Sequence, residues 1–213
     1  MLLRVLSPLL FLSLLVFGTA FAQTTISAGS DYKVLNPPQP TDSDTIEVLE
    51  FFSYGCIHCY TLEAKLEAWV KQLPKDVKFQ RVPTPFKAKG IDSVPIFYTL
   101  EAMDLLGKLH VKLFEAIHNE NLIVANPAVL TQWLTKQGVD MKKYQEIEKS
   151  FSVQSKISRA RILTEGYKID STPTLALGGK YLVASQPVAD RTFQIADAVI
   201  AMARLSKSGA PKR

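Results

Sequence analysis

Apolar residues recur along this chain in two rhythms, and the points where the rhythm changes outline a mixed α/β protein. Residues 45–52 read Thr-Ile-Glu-Val-Leu-Glu-Phe-Phe, a nearly continuous apolar, β-favouring run suited to a central strand buried on both faces. Ser53-Tyr54-Gly55 breaks it. Leu62, Leu66, Trp69, Val70 and Leu73 then return at helical spacing until Pro74, and residues 77–82 predict a second strand. The order is β-α-β, the unit that joins parallel neighbours. Residues 32–35 form a shorter strand candidate ahead of it.

From residue 94 to about 166 the rhythm is helical throughout. Helices are expected near 95–106, 108–119, 127–137, 142–150 and 152–165, with stops at Gly107, Asn126-Pro127 and Gly138. Pro127 belongs at a first turn, where its missing N–H costs nothing. The strand signal returns at 174–177, Gly178-Gly179 suits a tight hairpin, and residues 180–183 make the partner strand. A last amphipathic helix is expected at 187–203, its apolar side holding Phe193, Ile195, Val199 and Ile200. The simplest topology is a sheet domain (23–93 plus 167–213) with a helical domain inserted at 94–166. Trp69 and Trp133 read as core residues, and Tyr54 and Tyr60 as packing around the motif described below.

Composition narrows the function. With 47% hydrophobic and 21% charged residues the chain is an ordinary globular one. The net charge of +5 is mild and evenly spread, without the basic, aromatic-studded stripe of a nucleic-acid binder. Lys207, Lys212 and Arg213 read as a frayed, solvated terminus. At the other end Arg4, the apolar run 5–17 and Ala20-Phe21-Ala22 have the form of a signal peptide, removed after Ala22. That run is shorter than the roughly 20 residues that span a bilayer. No cysteine follows the cleavage point, so the expected mature protein begins at Gln23, without a lipid anchor, outside the cytoplasm.

Export changes how the two cysteines read. They form Cys56-Ile57-His58-Cys59. As a staple this bond would be poor, since so short a ring gains about 2 kcal/mol from loop closure, against about 3 for a 15-residue loop. A pair that contributes so little to stability is there to react. Cys56 falls at the start of the helix after the first strand. There the N–H groups lack intrahelical partners and the macrodipole is positive, and both favour a thiolate. His58 offers a further donor or charge. Cys59, one turn in, is shielded, so Cys56 is expected to attack and Cys59 to resolve. A zinc site would need more ligands, and His110 and His118 lie far away in sequence. Glu50 stands in the apolar strand six residues before Cys56. A carboxylate there is costly unless it works or is paired, so it is read as a buried group handling the Cys59 proton rather than a solvent-facing edge residue like Glu47.

The segment Glu50-Phe51-Phe52-Ser53-Tyr54-Gly55-Cys56-Ile57-His58-Cys59-Tyr60 resembles the active-site segment of the DsbA family, periplasmic thiol:disulfide oxidoreductases with a helical domain inserted in a thioredoxin fold. The likeness covers nearly the whole mature chain. Leu73-Pro74-Lys75-Asp76-Val77-Lys78-Phe79 is similar to the family's helix-to-strand passage, and Ser171-Thr172-Pro173-Thr174 followed by Gly179-Lys180-Tyr181 to its cis-proline loop and hairpin. The resemblance implies a redox-active Cys56–Cys59 disulfide passed to reduced exported polypeptides through a mixed disulfide. It implies that His58 stabilises the Cys56 thiolate, that Pro173 is cis against the pair, and that the Thr172 backbone pairs with substrate. It further implies a monomer in the periplasm, without cofactor or metal, reoxidised by a DsbB-like quinone-linked membrane protein. One departure is Ile57, where the commonest family dipeptide is Pro-His; the added N–H and freed φ bear on the potential more than on the reaction. The competing readings are a reductase or isomerase, though the chain has no spare length for the isomerases' dimerisation domain, and a non-catalytic chaperone, which an intact Cys-x-x-Cys argues against.

Overall fold

The computed structural model describes residues 25–41 and 44–208, so the expected leader, with its cleavage point after Ala22, and the last five residues lie outside the described residues. One five-stranded sheet organises the rest, in the order β1-β5-β4-β2-β3. The strands are β1 (Lys33–Val34), β2 (Ile46–Phe52), β3 (Val77–Pro83), β4 (Thr174–Leu177) and β5 (Tyr181–Ala184). β2 runs parallel to β3 and antiparallel to β4, which continues into the β5 hairpin.

The apolar run of β2 is explained by a core on each side of it. Ile46 and Val48 face Leu62, Leu66 and Trp69 of α1 (Ile57–Val70) and Val199 of α7 (Ala189–Ser208). Leu49 and Phe51 face the second core, which runs into the helices between β3 and β4. Those helices are α2 (Ser93–Ala102), α3 (Leu106–His118), α4 (Pro127–Lys136), α5 (Met141–Glu148) and α6 (Phe151–Gly166). Among the described residues no helix is long and apolar enough to cross a membrane.

Several boundaries differ from the expectation for identifiable reasons. α2 begins two residues early because Asp92 caps it, accepting the Val94 N–H at 3.3 Å. Gly107 does not stop a helix but lies in the first turn of α3; the break before it is made by Asp104, at φ +57°. α7 runs on to Ser208, and Lys207 is not frayed, since its ammonium reaches the Thr45 carbonyl at the start of β2. The hairpin turns at Gly178 and Gly179, both with positive φ, a conformation that glycine adopts without steric cost. Trp69 and Trp133 are buried.

Candidate functional site

The site grows from the turn between β2 and α1. Cys56 is the residue before the first helical position, with extended backbone (φ −87°, ψ 115°) and no side-chain cap. Its N–H closes the turn on the Ser53 carbonyl at 3.0 Å. The α1 N–H groups that would otherwise lack partners are thus left to the Cys56 sulfur. The pair is present as two thiols, Cys56 half-buried and Cys59 fully buried.

Environment splits the two sulfurs. Cys56 is brought down to about 5, chiefly by a hydrogen bond from the Cys59 thiol, then by the Thr172 side chain and the backbone N–H groups of Cys59 and His58, against the opposing effect of burial. Cys59 is pushed well up by burial, by its bond to Cys56 and by the nearby Glu50 charge. His58 acts on the sulfur through its backbone N–H, and its side chain is exposed. Ile57 is exposed beside it. From the opposite side the loop before β4 closes in, where Thr172–Pro173 is cis and the Cys56 thiol donates to the Thr172 carbonyl at 3.3 Å.

Glu50 is buried, at 1% exposure, but it is not the isolated carboxylate the strand pattern suggested. The parallel register sets Glu50 beside Arg81 of β3, with Nε 3.1 Å from Oε2, near enough to pair but out of line for a hydrogen bond. Arg81 also meets Glu63 at 2.7 Å and Glu67 at 2.6 Å, both on α1. Burial nevertheless dominates and raises Glu50 to about 8, because one guanidinium shared among three carboxylates cannot offset it. For Glu63 burial pushes the same way, but His110 and Arg81 more than offset it and hold the group low.

Sequence reasoning missed Arg81, Glu63 and Glu67, and their signals were present. Glu63 and Glu67 follow Cys59 at intervals of four, one face of a helix, and Glu50 and Arg81 are each the fifth residue of parallel strands. It also set His110 and His118 apart from the motif, whereas α3 brings both beneath the Cys56 turn. The His110 ring lies buried 5.3 Å from that of Tyr54, and His118 Nε2 is 2.8 Å from the Tyr54 carbonyl. Tyr54 is completely buried, and Tyr60 stacks on His118.

Comparison with known proteins adds independent weight. A family model described as a DSBA-like thioredoxin domain matches residues 81–199. The chain is 40% identical over 178 residues to the thiol:disulfide interchange protein DsbA of Bordetella parapertussis, covering 83% of this chain and 85% of that protein. It is 35% identical over 190 residues to DsbA of Pseudomonas aeruginosa, covering 87% and 89%. The crystal structure of Pseudomonas aeruginosa DsbA superposes with a TM-score of 0.79 at 33% identity, over 86% of this chain and 97% of that one.

Proposed function

The chain belongs to the DsbA-like thioredoxin family and is a thiol:disulfide oxidoreductase with a thioredoxin-like fold, and from that premise we propose that it works in the periplasm as a dithiol oxidase. In this reading the leader 1–22 directs export, residues 23–93 and 167–213 carry the chemistry, and 94–166 is the inserted helical domain. The observation that carries the proposal is the asymmetry of the pair: one sulfur half-exposed at a helix start with donors around it, the other buried.

A substrate thiolate attacks Cys56 Sγ of the disulfide, forming a mixed disulfide and expelling Cys59, whose raised pKa makes it take up a proton at once. The substrate's second thiolate then attacks its own sulfur in the mixed disulfide and expels Cys56 as a stable thiolate. The substrate loses two electrons and two protons; one proton stays on Cys59 and the other goes to solvent. Stabilising the Cys56 thiolate stabilises only the reduced protein, which makes the disulfide oxidising. Cys59 therefore leaves during substrate oxidation, and its resolving role falls in reoxidation. There it attacks the mixed disulfide between Cys56 and a quinone-linked membrane oxidase of the DsbB kind. Its proton must then depart, and Glu50, buried nearby and titrating at about 8, is placed to receive it.

His58 serves through its N–H, and the Thr172–Pro173 segment offers its backbone to an extended substrate. The protein acts as a monomer. The test is oxidation of a dithiol peptide by stoichiometric oxidised protein, with the redox equilibrium measured against glutathione. Rapid oxidation and a potential well above that of glutathione are expected; a potential at or below it would make the protein a reductase.

A further inference from the structure

One residue of the active-site turn is held from three sides by the helices between β3 and β4. The Tyr54 N–H donates to Ser93 Oγ at 2.8 Å, at the start of α2. The Tyr54 carbonyl accepts from His118 Nε2 at 2.8 Å, in the last turn of α3. The Tyr54 hydroxyl meets His110 Nδ1 at 2.9 Å, two turns earlier on α3. Both partners of the backbone groups are themselves fixed. Ser93 is fully buried and its hydroxyl lies 3.1 Å from that of Ser53. The His118 ring is stacked on Tyr60 at 5.3 Å and 4°, and Asn119 Nδ2 donates to the Tyr60 hydroxyl at 2.6 Å.

Because His118 Nε2 must carry its proton to donate to a carbonyl, the neutral ring presents Nδ1 as an acceptor, and Lys89 Nζ stands 3.5 Å from it. Lys89 belongs to the 3₁₀ turn Ala88–Gly90, whose Ala88 carbonyl fills the space where Gly55 lacks a side chain. The Tyr54–Gly55 peptide is thereby gripped at its carbonyl, blocked at its Cα and tied at its N–H, which points to Ser53 Oγ at 3.3 Å. Its rotation would swing Cys56, the next residue, away from the first N–H groups of α1.

We propose that Ser93 and His118 are positioning residues of the disulfide reaction, gripping Tyr54 by its N–H and C=O and so fixing the turn that aims Cys56 Sγ at the start of α1. The inference rests on the reading that Cys56 is the attacking sulfur. It gives the inserted helices a part in the chemistry: they hold the thioredoxin-like site in its reactive geometry from outside the sheet. A histidine that merely packed would leave the sulfur's titration unchanged when replaced by another side chain of similar size.

The test uses the full mature protein with His118→Leu, His118→Gln and Ser93→Ala. The thiolate absorbance of each is titrated in the reduced form, and oxidation of a dithiol peptide is timed in the oxidised form. His118→Leu should move the Cys56 midpoint upward and slow peptide oxidation by about fivefold, the weight of one hydrogen bond. His118→Gln, which keeps an N–H donor, should restore most of both. Ser93→Ala should act in the same direction, and decides the matter if the leucine variant does not fold. Unchanged titration and rate in the folded Leu and Ala variants, even with lowered melting temperatures, would overturn the proposal. Absence of an acidic thiolate in the wild type would instead overturn the reading of the site itself.

Discussion

At the scale of residues, the chemistry depends on two sulfurs three positions apart in sequence whose pKa values are displaced in opposite directions. With the reduced protein held at about pH 6, between the Cys56 value of about 5 and the raised Cys59, a limiting amount of iodoacetamide should label Cys56 almost alone, since thiolate fraction and exposure agree. Peptide mapping reads this directly, and labelling of Cys59 first would reverse the assignment of roles. Glu50→Gln keeps the shape of the side chain and removes its proton site. Peptide oxidation should change little, while reoxidation, which must strip the proton from Cys59, should slow by roughly a hundredfold, the low end of general-base effects. Its pH dependence around 8 should also flatten. Stopped-flow reoxidation of both proteins across that range decides it, and identical profiles would leave Glu50 a structural member of the Arg81 cluster.

Among elements, the pattern of apolar positions predicted strands and helices correctly wherever burial of the element's own faces set it. β2 was legible because both of its faces are apolar, and α1 because Leu62, Leu66 and Trp69 recur on its buried side. The pattern failed where a contact distant in sequence sets the local geometry. Gly107 looked like a helix stop, yet the break belongs to Asp104; Gly55 looked like a plain strand breaker, yet it is small because the Ala88 carbonyl lies against it. The same limit hid the Glu50–Arg81 pair, which only the register between two strands reveals, and the histidines of α3, which only the return of that helix brings to the turn. The Gly55 contact makes a prediction at this scale. Gly55→Ala places a methyl into backbone that cannot step aside as a side chain could, so urea unfolding should show a loss of about 1–3 kcal/mol, as for overpacking elsewhere. Hydrogen exchange should quicken in residues 84–92 before it does in the sheet. An unchanged midpoint would mean that the 88–90 turn shifts freely.

For the molecule as a whole, two of the site's displaced groups, Glu50 and Cys56, pull stability in opposite directions near neutral pH. Glu50 is raised from an ordinary 4.5 to about 8, so between these values the folded state holds a proton that the unfolded chain has lost. That contribution is complete below about 4.5 and fades as pH climbs to 8. Cys56 is lowered from 9.0 to about 5, so across that interval the unfolded reduced chain holds the extra proton, and stability grows as pH rises. Cys59, raised above its ordinary value, acts only at higher pH. Buried His110, lowered below its ordinary 6.5, adds a gain with rising pH that is complete above about 6.5 in both redox forms. Above that point the oxidised protein, without thiols, keeps the Glu50 dependence, while the reduced protein has both it and that of Cys56, and the two largely cancel. Urea unfolding from about pH 6.5 to 7.5 should therefore show the oxidised form losing stability while the reduced form stays nearly level. The gap between them should shift steadily in favour of the reduced state. That shift is the oxidising power of the disulfide seen through folding, because whatever stabilises the reduced protein drives electrons toward it. Glu50→Gln should level the oxidised curve and tilt the reduced one upward. Two parallel curves in the wild type would mean that Cys56 is not a thiolate in this range, and the oxidase mechanism would fall with it.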